Sequence, residues 1–441
     1  MSGSIQRQRL TVFRWAVVAA MAVLTSPAGA LTLEDALQTL VERHPQIRAS
    51  ESGVAAAESG IGIATSGFLP TVEITGDGGY ERSDTPSRRD ANQDPFDAAS
   101  RKLTLSIRQN LFDGYGRNSG LRQAEITRDA SRVDLRSVRQ TVLLEGVNAY
   151  LGLLREHRLV KLATENEQTI ARQLGLESER LQGGAGIAVD VLLARARLQI
   201  ARERRVAFEG ARIDAHTRFR QVFDMDVITD TLVEPQLPHS VLPDSLDEAV
   251  NNALHGNPGL GRASELVRLA DEKRRGATSG YWPRVDLVGR ANWERDYDGV
   301  PGTRRDGAIL LQLTWQIFSG FATDYTVSQS AHDAAASREN ETAVRRKTIE
   351  EVKLAWQALQ TARTREALLT NAVAIASEVF EARKSLRDSG RETALNVLDA
   401  ENEVYVARIN LVAATYDAQA AIYRLIAAIG DMEVENLPKR R

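Results

Sequence analysis

The chain contains no cysteine. That excludes disulfide staples, thiolate nucleophiles and sulfur-ligated metals, and it excludes a lipid anchor on an N-terminal cysteine. Histidine is scarce too: His44, His157, His216, His239, His255 and His332 are scattered through the chain. None sits in HExxH or at metal-pair spacing, none partners a GxSxG serine, and no GxxxxGK[ST] loop occurs. No enzymatic chemistry and no cofactor or metal site is therefore expected. Aromatics make up only 5% of residues, so the places where they gather carry information. Long hydrophobic runs are missing as well. The run "WAVVAAMAVL" follows Arg7, Arg9 and Arg14 and gives way to "SPAGA". It is too short to span a bilayer. With its basic flank and the small-x-small site Ala28-Gly29-Ala30, residues 1–30 read as a cleavable secretory signal, and a mature chain is expected from about Leu31. Its loss removes three arginines and no acid, taking the formal charge from −3 to −6. That leaves no footprint for nucleic acid.

What is present is a repetition. "ATSGFLP" at Ala64–Pro70 returns as "ATSGYWP" at Ala277–Pro283, 213 positions later. In the same register Leu33 falls on Leu246, Ala36 on Ala249 and Pro45 on Pro258. The offset then becomes 206, as "NLFDG" (Asn110–Gly114) meets "QIFSG" (Gln316–Gly320) and "DVLLA" (Asp190–Ala194) meets "NVLDA" (Asn396–Ala400). The seven lost residues mark a variable loop. Two repeats follow, 31–232 and 245–430, joined by a proline-rich connector at 233–244 that cannot be helical throughout. Residues 431–441 form a tail.

Each repeat reads as helix, strand, loop, strand, long helix, tight turn, helix. The first helix is expected over 33–67, the long ones over 117–181 and 322–387, and the last ones over 188–223 and 393–429. Leu144, Val147, Leu151 and Leu154 recur at spacings of 3, 4 and 3, as do Ile349, Val352, Trp356 and Leu359. That is a coiled-coil seam. A helix of some 65 residues is about 100 Å long, twice the length of its neighbours. Two short helices stacked end to end therefore match one long one. Such rods suit a spacer or a tube rather than a globule.

The segments after the repeated phrase alternate. Val72 and Ile74 alternate with Glu73 and Thr75, and Val285, Leu287, Ala291 and Trp293 with Arg284, Asp286, Arg290 and Asn292. On the return strands Leu103, Leu105, Ile107 and Leu111 alternate with Thr104, Ser106, Arg108 and Asn110, and Ile309, Leu311, Leu313, Trp315 and Ile317 with Leu310, Gln312, Thr314 and Gln316. Strands of about ten residues, apolar on one face, have the length and period of transmembrane β-strands. Leu105, Ile107, Leu287, Trp293, Leu313 and Trp315 are then lipid-facing. Phe68, Phe112, Tyr115, Tyr281, Trp282, Phe318 and Phe321 gather at the strand ends like an interfacial girdle. A soluble sandwich with one buried face fits the same alternation. Arginines and acids together on the polar face, and the secretory signal, favour the membrane. Four strands cannot close a barrel, so each chain would supply a sector of a shared one. The polar stretches Glu81–Lys102 and Arg295–Gly307 are expected as extracellular loops.

The signal segment, the doubled order of elements, "QNLFDG" and "QIFSG" after the second strand, and "DVL" or "NVL" past a glycine turn resemble the TolC family of outer-membrane channel-tunnels. The resemblance covers Leu31 to Ile429. It implies a mostly α chain with a four-stranded transmembrane β sector. As a homotrimer it would form a 12-stranded β-barrel and a 12-helix periplasmic α-barrel, set in outer-membrane lipid. It implies an exit duct for type I protein secretion or, alternatively, for multidrug efflux, joined through a periplasmic adaptor to an inner-membrane transporter, ABC type in the first case. A periplasmic adaptor or coiled-coil scaffold is the reading of another class. It would lack the doubled plan or the four lipid-faced strands. The turns with Gly183, Gly184 and Gly186, and with Gly390, would be the helix-hairpin tips. Just beyond them, the resemblance implies that Asn396 and Asp399 line the periplasmic aperture. It also implies that Asp190, Arg391 and Glu392 latch the helices. An Asp399 ring would favour cations.

Overall fold

The computed structural model describes residues 31–184, 186–238 and 241–436; the expected signal segment lies outside them. The first half runs α1 (Leu33–Arg43), α2 (Pro45–Ser66), β1 (Thr71–Ser83), a short α3 (Pro86–Asp90), β2 (Phe96–Phe112), α4 (Gly116–Gln182) and α5 (Ala188–Phe223). The second half runs α6 (Leu246–Gly256), α7 (Pro258–Ala277), β3 (Arg284–Tyr297), β4 (Val300–Thr314), α8 (Ala322–Asp388) and α9 (Ala394–Ile429). Long and terminal helices begin and end within about a residue of the boundaries read from sequence. The single helix expected over 33–67 is instead two. Pro45 lacks an N–H and forces its predecessor out of the helical region, so His44 sits at ψ 128° between α1 and α2. Pro258 repeats the break after Asn257, whose side chain accepts from the N–H groups of Gly259 and Leu260.

Each long helix has 67 residues, about 100 Å at 1.5 Å per residue. On the half of α4 next to the strands, Arg132 and Arg139 reach Glu58 and Glu51 of α2, both at 2.8 Å. On the far half, Glu167 takes Arg202 and Arg205 of α5 at 3.1 and 2.6 Å. α7 lies between the strand-side halves of α4 and α8, while α9 lies between their far halves. Each level is thus a layer of four helices.

The core sits midway along these rods. Leu33, Leu37 and Leu40 of α1 meet Val147, Tyr150, Leu151 and Leu154 of α4, Phe219 and Phe223 of α5, and Tyr423, Leu425 and Ile426 of α9. Val352 and Leu359 of the second seam join the same cluster. Each fully buried Leu, Val or Phe contributes about 1.5–3 kcal/mol. The Tyr150 hydroxyl accepts from Val233 N–H (3.1 Å) and lies 2.7 and 2.8 Å from the carbonyls of Val233 and Leu31. It ties the connector to the start of the described chain, beside the Leu31–Leu232 bridge. The Gln140 amide donates to Gly430 O at 2.6 Å, linking the two halves through buried polar atoms.

The strands are longer than expected, at 13, 17, 14 and 15 residues. Most of the two polar stretches read as loops is strand. Only 84–95 and the pair Asp298-Gly299 connect them. The backbone ladder continues past the apolar band because charged residues pair across it, as with Arg304 opposite Glu294. Asp298 and Gly299 have φ of 56° and 72°, which is the tight hairpin turn that "DG" favours. β4 ends at Thr314, so Trp315 and Ile317 lie beyond it; the Trp315 indole N–H donates to Tyr281 O at 3.2 Å.

Candidate functional site

Strand register decides which residues share a face, since direct partners point the same way. Val72 is opposite Ile107, Ile107 opposite Gly289, and Gly289 opposite Ile309. One level out, Ile74, Leu105, Ala291 and Gly307 align; towards the helices Leu287 aligns with Leu311, and Val285 with Leu313. The apolar set is one continuous face, and it is open: Ile309, Leu311 and Leu313 are 81, 68 and 64% exposed. Trp293 closes this band at its outer end, opposite Leu103.

The other face is mainly polar, apart from the Val288–Leu310 pair, and buries two acids on β3. Asp286 is 4% and Glu294 6% exposed. Glu294 pairs with Lys102 at 3.4 Å and Arg304 at 3.3 Å. Asp286 pairs with Arg284 at 3.0 Å and accepts from the Asn110 amide at 2.7 Å. An inside-out sheet of this kind suits lipid outside and water within.

The repeated phrase stands where α2 and α7 stop and β1 and β3 start. On the return path Gly114 and Tyr115, and equivalently Gly320 and Phe321, all have left-handed φ of 63–67°. Gly114 is further constrained by packing. A Cβ there would lie 2.6 Å from Trp282 Cβ and 2.8 Å from Ser279 O, so the two halves of the repeated phrase's junction interlock only around a glycine. Phe112 stacks edge-on against Tyr115 and Trp282, and Phe318 against Phe321. The girdle read from sequence lies at this junction, with Tyr115, Trp282, Phe318 and Phe321 exposed.

At the opposite end of the rods, α4 ends at Gly183, and Gly184 turns at φ 79°. Gly186 packs on the end of the helix, where a Cβ would meet Leu181 N at 2.6 Å. Gly390, at φ 76°, makes the second tip. The five aperture and latch residues do not form one cluster. Glu392 accepts from the Asn396 amide at 2.5 Å and from Thr393 N–H at 3.0 Å. These bonds, Asn396 first, with Arg383 nearby, hold its carboxyl below the usual range. Asp190 stands in the first turn of α5, half-buried, where the helix N-terminus favours its charge. Arg391 is exposed and, among the described residues, makes no ion pair. Asp399 is not a bare carboxylate: Arg197 of α5 donates to it.

That contact is one of several from the α4/α5 hairpin to the α8/α9 hairpin. Arg387, on the last turn of α8, pairs with Glu177 of α4. Gln173 donates to Glu401, and Arg204 to Asn402 at 3.5 Å. Burial pushes the Glu401 carboxyl up, against the lowering effect of Gln173. A cavity of ≈ 620 Å³ lies between α4, α8 and α9 here, lined by Gln173, Glu177, Arg387, Glu401 and Tyr405. Sequence reading missed Arg197, Glu177, Arg387 and Gln173. Their partners are about 200 residues distant, and no local pattern marks them.

The family model described as "Outer membrane efflux protein" matches residues 36–223 and 249–431. The chain belongs to the TolC family of outer-membrane efflux proteins. It is 27% identical over 430 residues to the outer membrane efflux protein BepC of Brucella suis, covering 96% of this chain and 90% of that one. It is 25% identical over 434 residues to the alkaline protease secretion protein AprF of Pseudomonas aeruginosa, covering 96% and 89%. A crystal structure of a membrane protein from Pseudomonas aeruginosa superposes with a TM-score of 0.79 at 19% identity, covering 90% of each chain, and shows the same fold. The family places the sheet in the outer membrane and the long helices in the periplasm. TolC-family proteins work with a periplasmic adaptor and an inner-membrane transporter, and they are channels rather than enzymes. Among the described residues no group of acids and histidines could hold a metal ion, and no helix is long and apolar enough to cross a membrane.

Proposed function

We propose that three copies of this TolC-family chain close into a 12-stranded barrel and a 12-helix tunnel that forms the outer-membrane duct of a small-molecule efflux pump. The observation that carries the trimer is the open sheet. Its order β1-β2-β3-β4 leaves the outer edges of β1 and β4 unpaired among the described residues, and an unpaired strand edge is untenable in lipid. Pairing β4 of one copy with β1 of the next makes a head-to-tail ring that can close. Val189, Leu192, Ile200, Val206 and Ile213 of α5 are 49–63% exposed, an apolar face left over for a neighbouring copy. The efflux assignment rests on the family match and on the similarity to BepC. The similarity to AprF over nearly the whole chain supports a second reading, the duct of a type I secretion system with an ABC transporter.

Outer-membrane fractions run unheated on a gel should give a trimer that heat converts to monomer; a monomer at both temperatures would remove the barrel. Deleting the gene should sensitise cells to small toxic compounds under the efflux reading. Unchanged sensitivity with loss of a secreted protein would establish the secretion reading instead.

The topology follows from the same reading. The strand ends at 84–95 and at Asp298-Gly299 lie opposite the helices, so they face outward from the cell. An epitope inserted beside Asn92, which lies in that exposed connection with φ 56°, should be labelled on intact cells. Labelling only after the outer membrane is broken would reverse the orientation.

The aperture is assigned to the tips. Asp399, Asn396, Asp190, Arg391 and Glu392 lie within the first turns after them. The cross-hairpin contacts of Arg197 with Asp399, and of Arg387 with Glu177, hold the α8/α9 hairpin against α4/α5, and their release would widen the entrance. In the latched state Arg197 offsets the charge of Asp399, so a cation-selective acidic ring would emerge only as the latch opens.

A further inference from the structure

Beyond Trp293 the outward face of the sheet turns basic. Arg101 of β2 and Arg295 of β3 are direct partners, and Arg305 of β4 is the partner of Trp293, two residues before Arg295. All three share the alternation of the apolar band, and all are exposed. Like charges directly opposite on neighbouring strands repel and destabilise the pair. On the inner face an acid stands between the facing bases: Glu294 holds Lys102 and Arg304, its direct strand partners, and Asp286 holds Arg284 at 3.0 Å and Arg108 at 3.9 Å, while Arg290 faces Ser106 and Ala308 rather than another base. On the outer face Arg295 has only Asp296, at 3.6 Å. Among the described residues Arg101 and Arg305 have no ion pair and no side-chain hydrogen bond. The cluster calls for an anion that the protein does not supply.

Position identifies the anion. Trp293 stands eight residues along β3 from Val285, which is about 27 Å of strand and about 20 Å of depth at a tilt near 40°. The apolar band of an outer-membrane barrel is about 25 Å tall. The arginines therefore stand at its extracellular edge, at the height of lipid phosphates. Directly below them the apolar face holds a groove of ≈ 630 Å³, lined by Ile74, Leu103, Leu105, Ala291, Trp293 and Gly307 with Arg305 at its lip. Its floor is low because Ala291 and Gly307 are partners there. We propose that Arg101, Arg295 and Arg305 bind the phosphate of an outer-leaflet lipid whose acyl chain lies in this groove. The site rests on the lipid-facing assignment of the sheet.

The test is native mass spectrometry of the full-length trimer in detergent, titrated with lipid A, phosphatidylglycerol or phosphatidylcholine. Lipid A should be retained over phosphatidylcholine. The double variant Arg101→Gln, Arg305→Gln should bind it about tenfold more weakly, as expected for losing charge-assisted hydrogen bonds. Arg290→Gln, on the inner face, should bind as the unaltered protein does. If the double variant does not assemble, the single variant Arg101→Gln and the lipid-class preference of the unaltered trimer decide. Equal retention of all three lipids, or no effect of the outer-face variants, would overturn the proposal. So would full displacement of lipid A by millimolar inorganic phosphate, which would mark a bare anion site. A nitroxide on Leu311→Cys, read for oxygen accessibility in nanodiscs, reports lipid contact separately. Absence of that contact would sink the membrane-facing assignment, whereas contact without headgroup preference would sink this site alone.

Discussion

Arg387→Ala should hold the periplasmic end of the channel open. Its guanidinium is 15% and the Glu177 carboxylate 8% exposed at the side chain, so the substitution leaves a buried acid without its main partner. Removing one member of a buried pair costs about 3–5 kcal/mol. Arg180, 3.8 Å from the same carboxylate, offsets part of this. Each 1.4 kcal/mol lost from the latched state shifts the latched-to-open ratio about tenfold. Conductance in planar bilayers should therefore rise, and cells should become sensitive to antibiotics too large for the latched entrance. Asp399→Asn tests the companion contact, where 46% of the side chain is exposed and solvent screens the pair; an exposed pair contributes about 0.2–1 kcal/mol. It should loosen the entrance far less. Cation selectivity should fall in Arg387→Ala, Asp399→Asn relative to Arg387→Ala, because only an open entrance leaves Asp399 unmatched. An Arg387→Ala trimer with unaltered conductance would place the constriction elsewhere.

Ile107→Arg should block barrel assembly, whereas Thr104→Arg should not. Ile107 lies at the middle of the apolar face, level with Val72, Gly289 and Ile309. An arginine facing lipid at mid-membrane costs about 2–4 kcal/mol, falling to about 0–1 near the interface. Three copies multiply the penalty in a trimer. Thr104 points the other way, beside Thr75 and Asn292, into a polar interior that already carries arginines. The measurement is the fraction of heat-modifiable trimer in the outer membrane. Equal yields for the two variants would show that the faces are assigned the wrong way round. The same depth dependence explains why Arg305 is tolerated on the lipid-facing side: it stands at the band's edge.

Much of this architecture is periodic and therefore legible. The helices over Gly116–Gln182 and Ala188–Phe223 obey a local 3.6-residue rule, and glycines mark the turn between them. The alternation of Val285, Leu287 and Trp293 fixes a face whatever the strand pairs with, because the pleat has period two. Strand length was not legible from hydrophobicity. The apolar pattern stops at the membrane edge, while the hydrogen-bond ladder continues through charged residues such as Arg304 and Glu294. The breaks at Pro45 and Pro258 and the turn at Asp298-Gly299 carry explicit local signals.

The doubled plan, the rods, the alternating faces and the tips are written into the order of residues, because each depends on neighbours within one or two turns. Tertiary structure alone decided the partners of Glu177, Asp399, Arg101 and Arg305. The first two meet Arg387 and Arg197 across two hairpins, and the other two depend on the register of β2, β3 and β4. Charge pairing over some 200 residues depends on how helices rotate and strands slide into register. Only the packed backbone sets those quantities.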